Sequence, residues 1–208
     1  MNQPSKIISD MFTATEIALL AQDCDSRPIA ETDNTININK NFDYQISGSA
    51  SNRIIKPKLD KLFGPEHTVS QGCYKIVSVP YGTHIDNDGF RQRHYTHSLD
   101  TKFETAILIP LIEDTRFCTI TFDVFTDELH GMGKLLPAKF ETGSNSFDLT
   151  ELDHIAQPAR EQISRFNIDT VFRWKLGSAM TWHKNQLHTS TNFAKFGLVK
   201  KFIIIFVA

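Results

Sequence analysis

Cysteine is scarce in this chain, and the few residues present do not pair. Cys24, Cys73 and Cys118 are odd in number and show no Cys-x-x-Cys spacing, which argues against a disulfide framework or a thiolate zinc site. They read as buried thiols in a reducing compartment, so a cytoplasmic location is expected. No apolar run approaches the ~18–20 residues that span a bilayer, and no membrane partner is expected. The opening segment, Met1-Asn2-Gln3-Pro4-Ser5-Lys6, lacks the apolar core of a secretory signal. An excess of either charge is missing too: 22 Lys and Arg against 24 Asp and Glu leave a net −2. That balance removes the general attraction on which nucleic-acid binding draws. Internal repeats and low-complexity stretches are absent. What is present is a length of 208 residues, enough for one well-buried domain and cramped for two, with sixteen phenylalanines to fill its interior.

The chain divides into a helical beginning and a strand-rich remainder. Thr13 with Glu16 three residues on forms a capping box, and Ile17, Leu20, Ala21 and Cys24 mark one helical face that Asp25-Ser26-Arg27-Pro28 ends. A polar stretch from Glu31 to Gly48 reads as loop with short extended pieces. A second helix covers Leu59 to Phe63 and some residues before, with Pro57 starting or kinking it and Gly64-Pro65 stopping it. From about Thr68 strands dominate: Cys73 to Val79, Phe103 to Ile112, Phe117 to Phe125, Val171 to Lys175, Ala179 to Trp182 and Phe202 to Val207. In Phe117–Phe125, Thr119, Thr121 and Asp123 alternate with Ile120, Phe122 and Val124, the pattern of a half-exposed strand. Residues 127–167 read as a polar insertion with a short helix near Ala159 to Phe166. Helices first and many strands after argue for an α+β chain built on a sheet sandwich or barrel. The expectation is one domain over 1–208, with 1–67 as helical support and 68–208 as the β core.

Two histidine sites stand out, each beside a strand-like run. Tyr81-Gly82-Thr83-His84-Ile85-Asp86 follows the first, and Trp182 through His188-Thr189-Ser190 precedes Lys200-Lys201 and the last strand. His84 and Asp86 are two apart, so a strand points both to one face. Two imidazoles and one carboxylate on one side of a metal, with open positions opposite, make a non-heme Fe(II) oxygenase site. A His-x-Asp pair alone is a weak signal in a chain with eight histidines, and a merely structural pair is the competing reading.

The ordered set of features resembles the Fe(II)/2-oxoglutarate-dependent oxygenases, particularly prolyl-hydroxylase-like and small uncharacterised members. A capped helix is followed by a strand leading through Val79-Pro80-Tyr81-Gly82-Thr83 into His84-x-Asp86. Next come Thr105 to Leu111 as a core strand, and Trp174-x-x-Gly177 with Trp182, His188 and Lys201. The likeness covers most of the chain, with 127–167 the clearest exception. It implies a double-stranded β-helix (a jelly-roll or cupin-like core) with N-terminal helices packed on it. It also implies Fe(II) held by His84, Asp86 and His188, with 2-oxoglutarate as cosubstrate and O2 as oxidant. The substrate would be a small molecule or peptide, hydroxylated at a C–H bond. Halogenation is disfavoured, because related halogenases carry a small residue where Asp86 stands.

The family commonly places Arg or Lys near the final strand to pair with the distal carboxylate of 2-oxoglutarate. Lys200 and Lys201 point to opposite faces. Lys201 shares its parity with Ile203, Ile205 and Val207, and on that ground is preferred. Tyr74 is a second cosubstrate candidate, against an ordinary core tyrosine. Trp174 and Trp182 read as packing residues and His183 as a surface or neighbouring histidine. Thr189, Ser190 and Asn192 are candidates for hydrogen bonds near the iron. Arg91 and Arg93, with His94 and His97, form a basic cluster that suits an anionic substrate or a solvated loop. The competing classes are a non-catalytic jelly-roll binding protein and a cupin-type metal enzyme.

Overall fold

The computed structural model describes residues 4–33, 37–86, 104–126 and 135–208. Strand β1 (Lys6–Ile8) leads into helix α1 (Ala14–Ser26). The cap forms as the sequence signals: Glu16 N–H donates to Thr13 Oγ1 at 3.2 Å and Thr13 N–H donates to the Glu16 carboxylate at 2.8 Å. Such a cap is worth about 1 kcal/mol. Strands β2 (Ile29–Asp33) and β3 (Asn37–Lys40) pair as a hairpin inside the stretch expected to be mostly loop. Helix α2 (Ala50–Phe63) is capped by Ser49, whose Oγ accepts from Asn52 N–H at 3.1 Å. Pro57 lies inside α2 rather than starting it, so the Arg53 carbonyl lacks its usual helical donor. Gly64, at φ +87°, ends the helix.

Seven more strands follow: β4 (Val69–Val77), β5 (Thr105–Pro110), β6 (Cys118–Phe125), β7 (Ile168–Arg173), β8 (Ala179–His183), β9 (Gln186–Ser190) and β10 (Lys200–Val207). A seven-stranded antiparallel sheet has the order β1-β8-β5-β10-β4-β3-β2, and a three-stranded one the order β7-β6-β9. The first 67 residues are therefore not helical support alone. They add strands to both edges of the large sheet.

Three apolar clusters define the layers. Tyr74, Ile107, Ile109, Ile203 and Ile205 on one face of the large sheet pack under Ile17, Leu20, Ile55 and Leu59 of α1 and α2. Val77, Leu108, Met180, Trp182, Phe202 and Ile204 on its other face meet Phe117, Phe172, Trp174 and Phe193. Cys118, Ile120 and Phe122 of the small sheet pack beneath Leu136, Leu152, Ile155 and Ile163. These last residues come from 135–167, which include helix α3 (Gln157–Ile163). The insertion is thus a cover over the small sheet. This corrects the half-exposed reading of β6: Thr119 and Thr121 are buried. Their hydroxyls are satisfied there, Thr119 Oγ1 by Trp174 Nε1–H at 3.0 Å and Thr121 Oγ1 by Ser5 Oγ–H at 2.8 Å. No helix among the described residues is long and apolar enough to cross a membrane.

Candidate metal centre

The peptide groups of His84 and His188 exchange two hydrogen bonds, His84 N–H to His188 C=O at 3.0 Å and the reverse at 2.9 Å. Residues 104 positions apart are thereby set side by side. The bridge holds the imidazole rings with centroids 4.3 Å apart. His84 Nδ1 lies 2.7 Å from Gly82 C=O and His188 Nδ1 lies 3.0 Å from Gln186 C=O. A carbonyl oxygen only accepts, so each Nδ1 carries the proton and each Nε2 keeps its lone pair. Burial pushes both imidazoles down to about 4, helped at His84 by the neighbouring charge of His188. Both rings are neutral at ordinary pH. That is the form in which imidazole binds a metal.

Asp86 completes the group. Donor atoms of His84, Asp86 and His188 all lie within 4.8 Å of one another, and His188 Nε2 is 3.8 Å from Asp86 Oδ1. Burial raises the Asp86 pKa, while His84, a hydrogen bond from Trp182 and the charge of Lys75 oppose that rise. The Trp182 bond, Nε1–H to Asp86 Oδ2 at 2.7 Å, is the feature the sequence reading missed. The Trp182 ring also lies against His188, centroids 5.0 Å apart. Trp182 therefore orients one member of the cluster and packs on another. The spacing of β8 gave no sign of this, because an indole N–H finds its acceptor only across the fold.

These three residues line an open-mouthed pocket together with Lys75, Tyr81, Trp174, Trp182 and Lys200. Lys200 is 3 % exposed. Its ammonium donates to the Cys118 carbonyl at 3.3 Å and lies over the rings of Trp174 at 4.5 Å, Phe193 at 4.7 Å and Phe117 at 5.7 Å. Burial pushes its pKa down to about 7, and the negative ring faces offset part of that cost. No carboxylate pairs with it among the described residues.

The preference for Lys201 is overturned. Lys201 lies on the opposite face of β10, where its ammonium pairs with Asp25 at 2.6 Å. Its parity with Ile203 and Ile205 is real, but that face packs against α1 and α2. Both faces of β10 are apolar, so alternation could not identify the cavity side. Tyr74 is corrected for the same reason. It stands opposite Ile203 on the helix-covered face and donates its hydroxyl to Asp23 at 2.6 Å. His183 bonds to Glu104 at 3.1 Å, and Asn192 donates to Asp153 at 2.7 Å. Thr189 and Ser190 do line the pocket. Arg91, Arg93, His94 and His97 lie outside the described residues.

No family model and no curated protein matches the chain. Solved structures with the same fold are found at low identity. The epimerase SnoN, in complex with Fe3+, alpha ketoglutarate and nogalamycin RO, is 12% identical with a TM-score of 0.60, covering 99% of this chain and 79% of that one. The non-heme alpha ketoglutarate dependent carbocyclase SnoK is 12% identical at 0.59, covering 99% and 80%. An oxidoreductase of the 2OG-Fe(II) oxygenase family from Burkholderia pseudomallei is 11% identical at 0.56, covering 99% and 84%.

Proposed function

We propose that this chain is a cytoplasmic Fe(II)- and 2-oxoglutarate-dependent oxygenase of double-stranded β-helix fold, hydroxylating a C–H bond of an amino-acid, peptide or small-metabolite substrate. The observation that carries the reading is Lys200. A caged ammonium with no carboxylate partner among the described residues shares one pocket with His84, Asp86 and His188. Burying such a charge is costly unless something anionic repays it. The distal carboxylate of 2-oxoglutarate suits it, although lysine offers a point charge where arginine would offer a fork.

The donor set fits Fe(II). His84 and His188 would supply neutral Nε2 lone pairs and Asp86 one negative charge, leaving further positions free. When bound, Fe(II) would activate O2 as the oxidant, with 2-oxoglutarate giving up two electrons by oxidative decarboxylation to succinate and CO2 and the substrate C–H bond giving up the other two. Trp182 keeps the Asp86 carboxylate turned toward the cluster, a role whose loss typically weakens metal binding about 10–100-fold. Lys200 fixes the far end of the cosubstrate. Trp174, Phe193 and Phe202 exclude water around it, which strengthens that contact. A non-catalytic binding protein would need none of these donors to converge, and His84-x-Asp86 suits a histidine-rich cupin site poorly. The names of SnoN and SnoK show that this fold also hosts epimerisation and ring closure. Hydroxylation is the outcome proposed here.

The test is anaerobic addition of Fe(II) and then 2-oxoglutarate to the protein. A weak visible charge-transfer band that saturates with the cosubstrate is expected. Its absence, with Fe(II) demonstrably bound, would overturn the reading.

A further inference from the structure

The pocket holds a second cation that the proposed chemistry does not use. Lys75 lies on β4 opposite Phe202 of β10, and Val77 is opposite Lys200. Lys75 and Val77 share the cavity face, so Lys75 stands on the same wall as Lys200. One strand spacing and two residues of rise separate their Cα atoms by about 8 Å. The two differ in depth. Lys200 is buried, whereas Lys75 is half-buried and its ammonium lies over the Tyr81 ring, 5.6 Å from the centroid. Tyr81 in turn touches His84, ring centroids 5.9 Å apart. Lys75 makes no contact ion pair among the described residues, although its charge is close enough to lower the Asp86 pKa. Asp86 takes its hydrogen bond from Trp182 and shares the candidate metal cluster with His84 and His188.

We infer that Lys75 and Tyr81 are the acid-recognising end of the substrate site, and that the substrate is a small carboxylic acid. The inference rests on the cosubstrate reading above, in which Lys200 takes the distal carboxylate of 2-oxoglutarate and leaves Lys75 for a second anion. Tyr81 presents an apolar face beside the ammonium, so the acid would lie with its carboxylate on Lys75 and its carbon chain along Tyr81 toward His84. A lone ammonium suits a carboxylate better than a phosphate, which draws on several donors at once. A free lysine at a pocket rim would otherwise extend into solvent. Here it is folded inward over a ring.

The test uses zinc-substituted protein saturated with 2-oxoglutarate, so that binding is read without turnover. Ligand-observed NMR titrations compare monocarboxylic acids of about four to ten carbons with the primary amide of each. At least one acid should bind about 10- to 100-fold tighter than its amide. Lys75→Met should erase that preference while leaving 2-oxoglutarate affinity within about threefold, and Lys75→Glu should favour the amide. Thermal unfolding of each variant checks that it is folded. Equal binding of every acid and amide would overturn the inference, as would a preference surviving in Lys75→Met. Loss of 2-oxoglutarate affinity in Lys75→Met as large as in Lys200→Met would assign Lys75 to the cosubstrate, sinking this inference while the proposed function stands. Failure of 2-oxoglutarate to bind the wild-type protein would remove the cosubstrate reading and this inference together.

Discussion

The two faces of the large sheet are alike in composition and differ in how their charges are paired. On the helix-covered face, Tyr74, Lys201 and Ile203 lie among apolar neighbours, and each polar group has a partner of complementary charge or hydrogen-bonding type. Tyr74 has Asp23 and Lys201 has Asp25. On the cavity face, Lys75, Lys200 and Phe202 occupy the neighbouring positions, yet neither cation makes a contact ion pair among the described residues, Lys75 acting on Asp86 only across a gap. Burial alone therefore does not separate structural lysines from functional ones. The separation lies in whether the charge has been answered by the protein itself. An unanswered buried charge costs stability, a cost that the proposed cosubstrate would offset.

Removing a candidate metal donor from the cavity face should have the largest effect. Asp86→Ala deletes the carboxylate of the cluster and should lower Fe(II) or Zn(II) affinity by more than about 100-fold, beyond what the loss of an outer hydrogen-bonding partner costs. His183→Ala, bonded instead to Glu104, should change it by no more than about twofold. Competition with a chelating indicator measures both, and comparable losses would mean that the second histidine site is misassigned.

The adjacent lysines provide the next contrast. Lys200→Met should raise the dissociation constant of 2-oxoglutarate by roughly thirty-fold to several thousand-fold, the equivalent of about 2–5 kcal/mol for an unpaired buried carboxylate. Lys201→Met should leave it nearly unchanged. Anaerobic titration of the Fe(II) protein decides, and the reverse order would mean that the cavity lies on the other face of β10.

Trp182→Phe keeps the ring against His188 and removes only the donor to Asp86. Metal affinity should fall about 10- to 100-fold with the fold intact. An unchanged affinity would return Trp182 to the packing role first expected of it.

Stability should show the smallest and most revealing difference. Tyr74→Phe loses the hydrogen bond to Asp23 and should destabilise by about 1–2 kcal/mol without touching cosubstrate affinity. Lys200→Met should instead raise the melting temperature of the ligand-free protein, on the order of 3–6 °C, from about 1–2 kcal/mol in a chain of this length. The sign follows from its depressed pKa of about 7. An unfolded lysine stays protonated to higher pH, so between that value and the ordinary lysine range the unfolded state binds more protons. The lysine's penalty is therefore full below about pH 7, falls as pH rises through that window, and vanishes above it. The advantage of Lys200→Met should shrink in the same direction, and scanning calorimetry at pH 7 and pH 9.5 checks it.

Much of the layout was legible in the sequence because local rules govern it. Thr13 and Glu16 start α1 by a cap contained within four residues. The β-branched run of β4 and the continuous apolar runs of β5 and β10 read as strands from their own residues. His84 and Asp86 were readable as a pair because a spacing of two puts them on one face. β1 and β9 were less legible, since three- and five-residue strands exist only through the partners they pair with. The threonines of β6 misled for a related reason: polar alternation usually marks a solvent face, and here the polar face is inside while the insertion covers the apolar one.

The sequence by itself made most of the elements and the candidate metal ligands His84, Asp86 and His188 legible, and the family resemblance implied a cation near the last strand. Which of the two, Lys200 or Lys201, enters the pocket was decided only by tertiary structure. Alternation assigns residues to two faces but cannot say which face closes a cavity when helices bury one and a second sheet buries the other. The bridge between His84 and His188, the Trp182 bond to Asp86 and the aromatic cage around Lys200 share that origin. Each joins residues distant in the chain, and no local pattern encodes a contact whose two halves meet only after the sheets have packed.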